Sequence, residues 1–436
     1  MTQKRVFFVW APLAAMWVMM AVELPLINAV IARMPNAEAN LAAFGVTFSL
    51  SLIIESPIIM LLSAGTALPN DPYSYKKLLR FTHILAGILT LIHIVVAVTP
   101  LYEIVLKNVI DAPERIIPLS RHAFLIMVPW SGAIAYRRLF QGILIKYMRT
   151  WIVPVTIISR LITAAAVLGS GFIIQSIPGS SIGAYSLSIG VIVAAFSAYG
   201  FARKTIREQI HTAAPNSKQL TWRFLLRFYI PLALTTIITL VGRSIITLGI
   251  ARASFPMPSL AVWPVVMGFI FIGRSLALSF QEAAITLLPY KGSYPVLRNF
   301  TLSLSLILGI LFLVAGITPL SELYYSTLAG LKPELVDFTL TPTLIMSVVP
   351  LISALISWRR GQLIYIQNTS PISKAVGLNL IVLLVVLFTL GPLTTVPGVT
   401  IAGIALSMSV AVEYVYLFYG AGNIRSKVNK YHISGI

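Results

Sequence analysis

Twelve apolar runs, each long enough to cross a lipid bilayer, govern what this chain can fold into. They fall at 7–31, 41–64, 81–99, 121–145, 151–175, 183–202, 225–250, 260–288, 299–317, 339–358, 375–391 and 400–420. A stretch of about 18 or more apolar residues reads as a transmembrane helix. Charged residues make up 10% of the chain and hydrophobic ones 58%, where a soluble domain carries about 25% charged residues. The expectation is an all-α polytopic membrane protein with twelve transmembrane helices. Lys4 and Arg5 precede the first run and no small-residue cleavage site follows a short apolar core, so that run is expected to be a retained span.

The loops orient the spans. One set carries Lys4, Arg5, Lys76, Lys77, Arg80, Lys146, Arg149, Arg203, Lys204, Arg207, Lys218, Arg223, Lys291, Arg298, Lys374, Arg425, Lys427 and Lys430, against the acids Asp71 and Glu208. The alternate set carries Arg33, Lys107, Arg115, Arg121, Arg252 and Lys332, and seven acids: Glu38, Glu103, Asp111, Glu114, Glu322, Glu334 and Asp337. Basic loops stay in the cytoplasm, so the cell inner (plasma) membrane is expected, with both termini cytoplasmic. The net charge of +19 is accounted for by this asymmetry, and no nucleic-acid partner is expected. The chain has no cysteine, which excludes disulfides and thiolate metal sites.

The chain also repeats itself. Pro12 to Arg33, PLAAMWVMMAVELPLINAVIAR, aligns without a gap on Pro231 to Arg252, PLALTTIITLVGRSIITLGIAR, at an offset of 219 with 8 of 22 positions identical. Leu41-Ala42 pairs with Leu260-Ala261, and Thr99-Pro100-Leu101 with Thr318-Pro319-Leu320, at the same offset. Tyr136-Arg137-Arg138 pairs with Trp358-Arg359-Arg360 at 222. Two pseudo-symmetric six-helix lobes follow: 1–202, a cytoplasmic connector 203–223, and 224–436. Parallel repeats of this kind place a substrate site between them near the midplane. The amphipathic stretches 101–118 and 320–338 read as short outer helices resting at the interface.

Charges inside spans are costly and mark function or pairing. The acids are Glu23, Glu55, Glu282 and Glu413; the bases are Arg160, Arg227, Arg243 and Arg274, with the pairs Arg137-Arg138 and Arg359-Arg360 at inner span ends. Glu55 and Arg274 are 219 apart, and Glu23 and Arg243 miss that spacing by one. If the lobes face each other, carboxylates meet guanidiniums at matching depths. These pairs are either cross-lobe salt bridges or a divided site. In the divided site Glu23, Glu55, Glu282 and Glu413 take a coupling cation, and Arg243, Arg274, Arg137, Arg138, Arg359 and Arg360 take an anionic substrate. Arg227 reads as a snorkelling residue, and Arg160 as able to snorkel in the same way. His83 and His93 read as packed residues rather than proton relays. There is no Walker lysine loop, no HExxH and no Gly-x-Ser-x-Gly, so no enzyme is expected.

Two parallel six-span halves with a basic connector resemble the MOP superfamily, which includes the multidrug and toxic-compound extrusion (MATE) transporters and lipid-linked oligosaccharide flippases. In motif detail the chain is similar to the progressive ankylosis family. Leu41-Ala42-Ala43-Phe44-Gly45-Val46-Thr47-Phe48-Ser49-Leu50 resembles that family's Leu-Ala-Ser-Tyr-Gly-Leu-Ala-Tyr-Ser-Leu, Arg243 and Arg252 resemble its equally spaced arginines, and Glu413 resembles an acid in its last span. The sequence diverges after Leu50. Glu23 stands about where many MATE proteins carry a cation-coupling acid. The resemblance implies a secondary active exporter with alternating access between lobes, extruding an organic anion, with Na+ or H+ as the candidate coupling ion and no other cofactor. The alternatives are MATE-type cationic-drug antiport and flipping of a lipid-linked anion. The expected partners are the bilayer and a small-molecule or lipid-linked substrate, and a monomer is expected.

Overall fold

The computed structural model describes residues 1–110, 113–214, 220–420, 426 and 428. Asp111, Lys218, Arg425, Lys427 and Lys430 of the loop census lie outside the described residues.

Eleven helices among the described residues are long and apolar enough to cross a membrane. In chain order they are α1 (Gln3–Ile31), α2 (Ala37–Ala67), α3 (Pro72–Val98), α5 (Ile152–Ile174), α6 (Gly179–Ile210), α7 (Trp222–Ala251), α8 (Pro256–Leu287), α9 (Ser293–Ile317), α10 (Pro333–Tyr365), α11 (Ser370–Leu393) and α12 (Gly398–Tyr419). The remaining segment of that length is α4, made of Ile117–Ile126 and Val128–Lys146. Four basic residues within it, Arg121, Arg137, Arg138 and Lys146, lower its hydropathy. Many outward side chains are large and apolar, Ile162, Phe196 and Ile307 among them, as a lipid solvent allows and water would not.

Local chemistry sets the helix ends. Asp71 opens α3: its carboxylate accepts from the backbone N–H groups of Tyr73 and Ser74 at 2.8 and 2.9 Å, and the Asp71 N–H donates back to the Ser74 hydroxyl. This is a capping box, with Pro72 at the first helical position. Pro57 puts a short 3-10 turn after Glu55, and α2 breaks there. α8 breaks at Ser279. The interhelix turns carry the repeat in their backbone. Asn36 and Phe255 have φ of 54° and 52°, and Met148 and Gln367 have 60° and 58°. Each pair is 219 residues apart.

By contact the chain forms two compact units, Val18–Leu226 and Met1–Trp17 with Arg227–Ile436. The cut falls inside α1 rather than in a loop. In the second unit Gln3 donates to the Val296 carbonyl, and the Trp10 indole donates to the Leu276 carbonyl at 3.2 Å while its ring packs on Phe300. In the first unit α6 continues through the start of the sequence-defined connector to Ile210. The outer stretch after α3 is helical and anchored by the buried Tyr102 and Leu106, packed with Ala97, Ile117 and Phe124. In the other unit Tyr325 is buried and shares a hydrogen bond with the Thr343 hydroxyl.

Candidate functional site

Besides the helix-capping Asp71, the unit Val18–Leu226 holds five buried charges among its described residues. Glu23 on α1, Glu55 on α2, Arg137 and Arg138 on α4 and Arg160 on α5 are each at most 4% exposed. Arg160 Nε donates to Glu23 Oε1 at 2.7 Å, and Arg160 Nη2 lies 2.5 Å from Glu23 Oε2. A two-point guanidinium–carboxylate contact is the strongest arrangement such a pair can adopt. Glu55 lies within electrostatic reach of Arg138, Arg137, Arg160 and Glu23, so the five act as one cluster with three positive and two negative groups. Glu55 Oε2 and the Nε and Nη1 of Arg137 have no hydrogen-bond partner among the described residues.

Arg160 is where the structure corrects the reading from sequence. It stands eight residues into α5, about 12 Å along the axis, and its buried guanidinium lies on Glu23. Sequence reasoning left it out of the candidate site. The signal that could have found it is that depth, with one acid, Glu23, in an equally apolar span.

The unit formed by Met1–Trp17 with Arg227–Ile436 builds a different cluster. Glu413 on α12 receives Arg360 Nη2 at 2.5 Å on one oxygen and Asn379 Nδ2 at 2.9 Å on the other. Arg274 on α8 is half-buried and feels the charges of Arg243, Glu413 and Arg360. Arg274 Nε is buried without a partner, and Arg243 on α7 is exposed. Arg359 lies over the Phe418 ring at 4.6 Å. Glu282 is buried beyond the α8 break and accepts from Gln281 Nε2 at 3.2 Å. Asn379 was also missed from sequence, although it stands 219 residues after Arg160.

The two arginine pairs are not counterparts. Gly142 on α4 touches α2: a Cβ there would sit 2.5 Å from the Leu62 carbonyl oxygen and 2.9 Å from Gly65 Cα. On α10 a Cβ at Gly361 would sit 2.8 Å from Ala284 Cβ and 3.1 Å from the Gln281 carbonyl oxygen. Gly142 and Gly361, Gly65 and Ala284, Leu62 and Gln281 are all 219 apart. The helices therefore keep that offset, and the 222-residue match of the arginine motifs is a coincidence of sequence. Arg138 corresponds to Ser357 and Arg360 to Gln141, nearly one helical turn from the sequence pairing. Glu55 and Arg274 do correspond.

Glu23 finds a partner inside its own unit: both of its oxygens are taken by Arg160. His93 is fully buried; its Nε2 donates to the Phe124 carbonyl and its ring stacks on Phe124 at 4.0 Å. Among the described residues no cluster of three or more His, Cys, Asp or Glu could hold a metal.

Residues 5–255 match the family model of the progressive ankylosis protein (ANKH). No curated protein sequence matches the chain. Among solved structures the chain is similar to an outward-facing multidrug resistance MATE family transporter of the MOP superfamily, with a TM-score of 0.75, 13% identity, and 98% of this chain and 96% of that one covered. It is similar to a MOP superfamily transporter from Pyrococcus furiosus whose binding pocket is described as having reverse polarity, with a TM-score of 0.75, 11% identity, and coverage of 98% and 96%. A mutant of the Vibrio cholerae MATE transporter VcmN gives a TM-score of 0.75 at 15% identity, with coverage of 97% and 98%. The family model spans more than half of the chain and the likeness in fold spans nearly all of it: this multi-pass membrane protein, built as two six-helix lobes of the MATE type, belongs to the progressive ankylosis protein family.

Proposed function

We propose that the chain is a secondary exporter of an organic anion, working by alternating access of its two lobes. One observation carries this reading: in the charge cluster of each unit the arginines outnumber the glutamates, three to two around Glu55 and three to one around Glu413. In one unit three arginines face two glutamates. In the other, Glu413 is held by Arg360 and Asn379, which leaves Arg243 and Arg274 without an ion-pair partner among the described residues. Guanidinium groups suit carboxylate and phosphate oxygens, which they bind in a planar two-point geometry. An inside-negative potential favours anion exit by about 2.3 kcal/mol per charge per 100 mV. The reverse polarity ascribed to the pocket of the Pyrococcus furiosus relative is a precedent for this fold with such a site.

Cationic-drug antiport, the activity named for the multidrug MATE relative, is the second reading. It needs a free deep carboxylate: Glu23 and Glu413 are both engaged on both oxygens, which leaves Glu55, whose Oε2 has no hydrogen-bond partner among the described residues, as the acid it would have to use. A flippase for a lipid-linked anion would use the same arginines. Counterflow of citrate and of pyrophosphate in proteoliposomes tests the proposal: Arg243→Ala and Arg274→Ala are each expected to abolish uptake. Unchanged uptake in both variants would sink the anion reading, and wild-type resistance to cationic drugs in an efflux-deficient host would favour the second.

A further inference from the structure

We propose that Arg160 is a tethered counter-cation. It fills permanently the place at Glu23 that a transported Na+ or H+ would need, so transport runs without a coupling ion at that carboxylate. This rests on the anion-export reading for what is transported, but not for the state of Glu23.

Three observations converge. First, an intramembrane acid binds a proton or a metal ion only through oxygens that can be vacated. Arg160 covers both oxygens of Glu23, at 2.7 and 2.5 Å, with the two side chains 5% and 6% exposed. Displacing it would leave a guanidinium buried without a partner, which is the costly outcome for such a pair. Second, the charges in reach of Glu23 come from α2, α4 and α5: Glu55, Arg137 and Arg160, with Arg138 joined to the cluster through Glu55 and Arg137. The cluster already has one positive charge in excess, so an arriving cation meets repulsion rather than attraction. Third, the same solution recurs in the other unit with different residues. Glu413 is covered on one oxygen by Arg360 and on the other by Asn379. Position 379 is the register counterpart of position 160, so α5 and α11 each supply a donor to the deep acid of their own unit. A carboxylate meant to bind and release an ion would not be capped on both oxygens in both halves of the repeat.

The inference makes a positive prediction: removing the tether should open a cation site. The test measures the melting temperature of purified wild type, Arg160→Ala and Arg160→Lys in choline chloride, in NaCl and with millimolar methylguanidinium, at constant ionic strength. Wild type and Arg160→Lys should be indifferent to Na+ and to methylguanidinium. Arg160→Ala should gain a rise of about 2–4 °C with methylguanidinium or Na+, and Glu23→Gln added to it should remove the rise. Should Arg160→Ala fail to fold, Arg160→Gln carries the same test. A wild type stabilised by Na+, or an Arg160→Ala protein indifferent to all three cations, would overturn the proposal. In a second arm, citrate accumulation is measured in proteoliposomes at clamped potential. A tenfold Na+ or proton gradient should have no effect on the accumulation ratio that passes through Glu23; one-for-one coupling would move the ratio about tenfold, and a movement that Glu23→Gln abolishes would also overturn the proposal. An absence of citrate and pyrophosphate transport under every gradient would count against the anion reading, while the melting arm would still decide the tether.

Discussion

Glu55 and Arg274 occupy the same position in the two halves of the repeat, six helices and 219 residues apart, yet carry opposite charge. Around Glu55 the first unit gathers arginines and pairs one of them, Arg160, with Glu23. Around Arg274 the second unit pairs Arg360 with Glu413 and leaves Arg243 exposed. Each unit thus has one sealed ion pair. The difference lies in the remainder: buried arginines beside a glutamate in one unit, and two unpaired arginines in the other. A duplicated scaffold conserves where charge can be placed in the helical bundle, while sign and partner diverge freely provided each deep acid finds a donor.

The largest way to break this comparison is to unseal one pair while deleting an arginine without a pair in the other unit. Arg160→Ala leaves Glu23 buried and uncompensated and should cost about 3–5 kcal/mol of stability, seen as a large fall in melting temperature. Arg274→Ala removes a charge that has no ion pair and should leave the melting temperature nearly unchanged. Equal losses in the two variants would mean that Arg274 has a structural partner and that the contrast fails.

A smaller effect separates the two helix crossings. Gly142→Ala forces a methyl against backbone atoms of Leu62 and Gly65, which cannot swing aside, and should cost about 1–3 kcal/mol. Gly361→Ala meets mainly the Ala284 methyl and should cost less. A Gly361→Ala protein that melts below Gly142→Ala would reverse the order of tightness inferred here. Glu413→Gln keeps the shape and weakens the charge-assisted bond to Arg360, with an expected loss of about 1.5–3 kcal/mol. The smallest effect belongs to the outer rim. Glu38 and Arg115 pair at 2.7 Å but are 85% and 64% exposed, so a double-mutant cycle should return less than about 1 kcal/mol, falling further with salt.

Much of the fold was legible in the sequence because it is written locally. Apolar length gives the spans and basic loops give the alternation, although the third helix starts at Pro72, nine residues before the apolar run that marks it. The repeat was legible at 219 wherever identical residues clustered. It was misread at Tyr136-Arg137-Arg138, where a three-residue motif outweighed a register that is set by the contacts of Gly142 and Gly361. The candidate site was legible as a set of residue types at span depth, Glu23, Glu55, Arg243 and Arg274 among them. Its pairing was not: Glu23 and Arg160 are 137 residues apart, and nothing in either local window points to the other.

What the sequence by itself determined is therefore a membrane protein of two six-helix halves with a handful of charges at span depth, each costly to place in lipid. What only the tertiary structure decided is which charge answers which. An arginine side chain reaches only the helices that pack against its own, and that packing is a property of whole helix faces summed over many turns. The same physics explains why Arg160 reads in the sequence as able to snorkel and Asn379 is passed over, while Arg243 is placed in the candidate site. A lone charge in a span can be read as a cost, but the residue that relieves the cost is identified only once the helices are assembled.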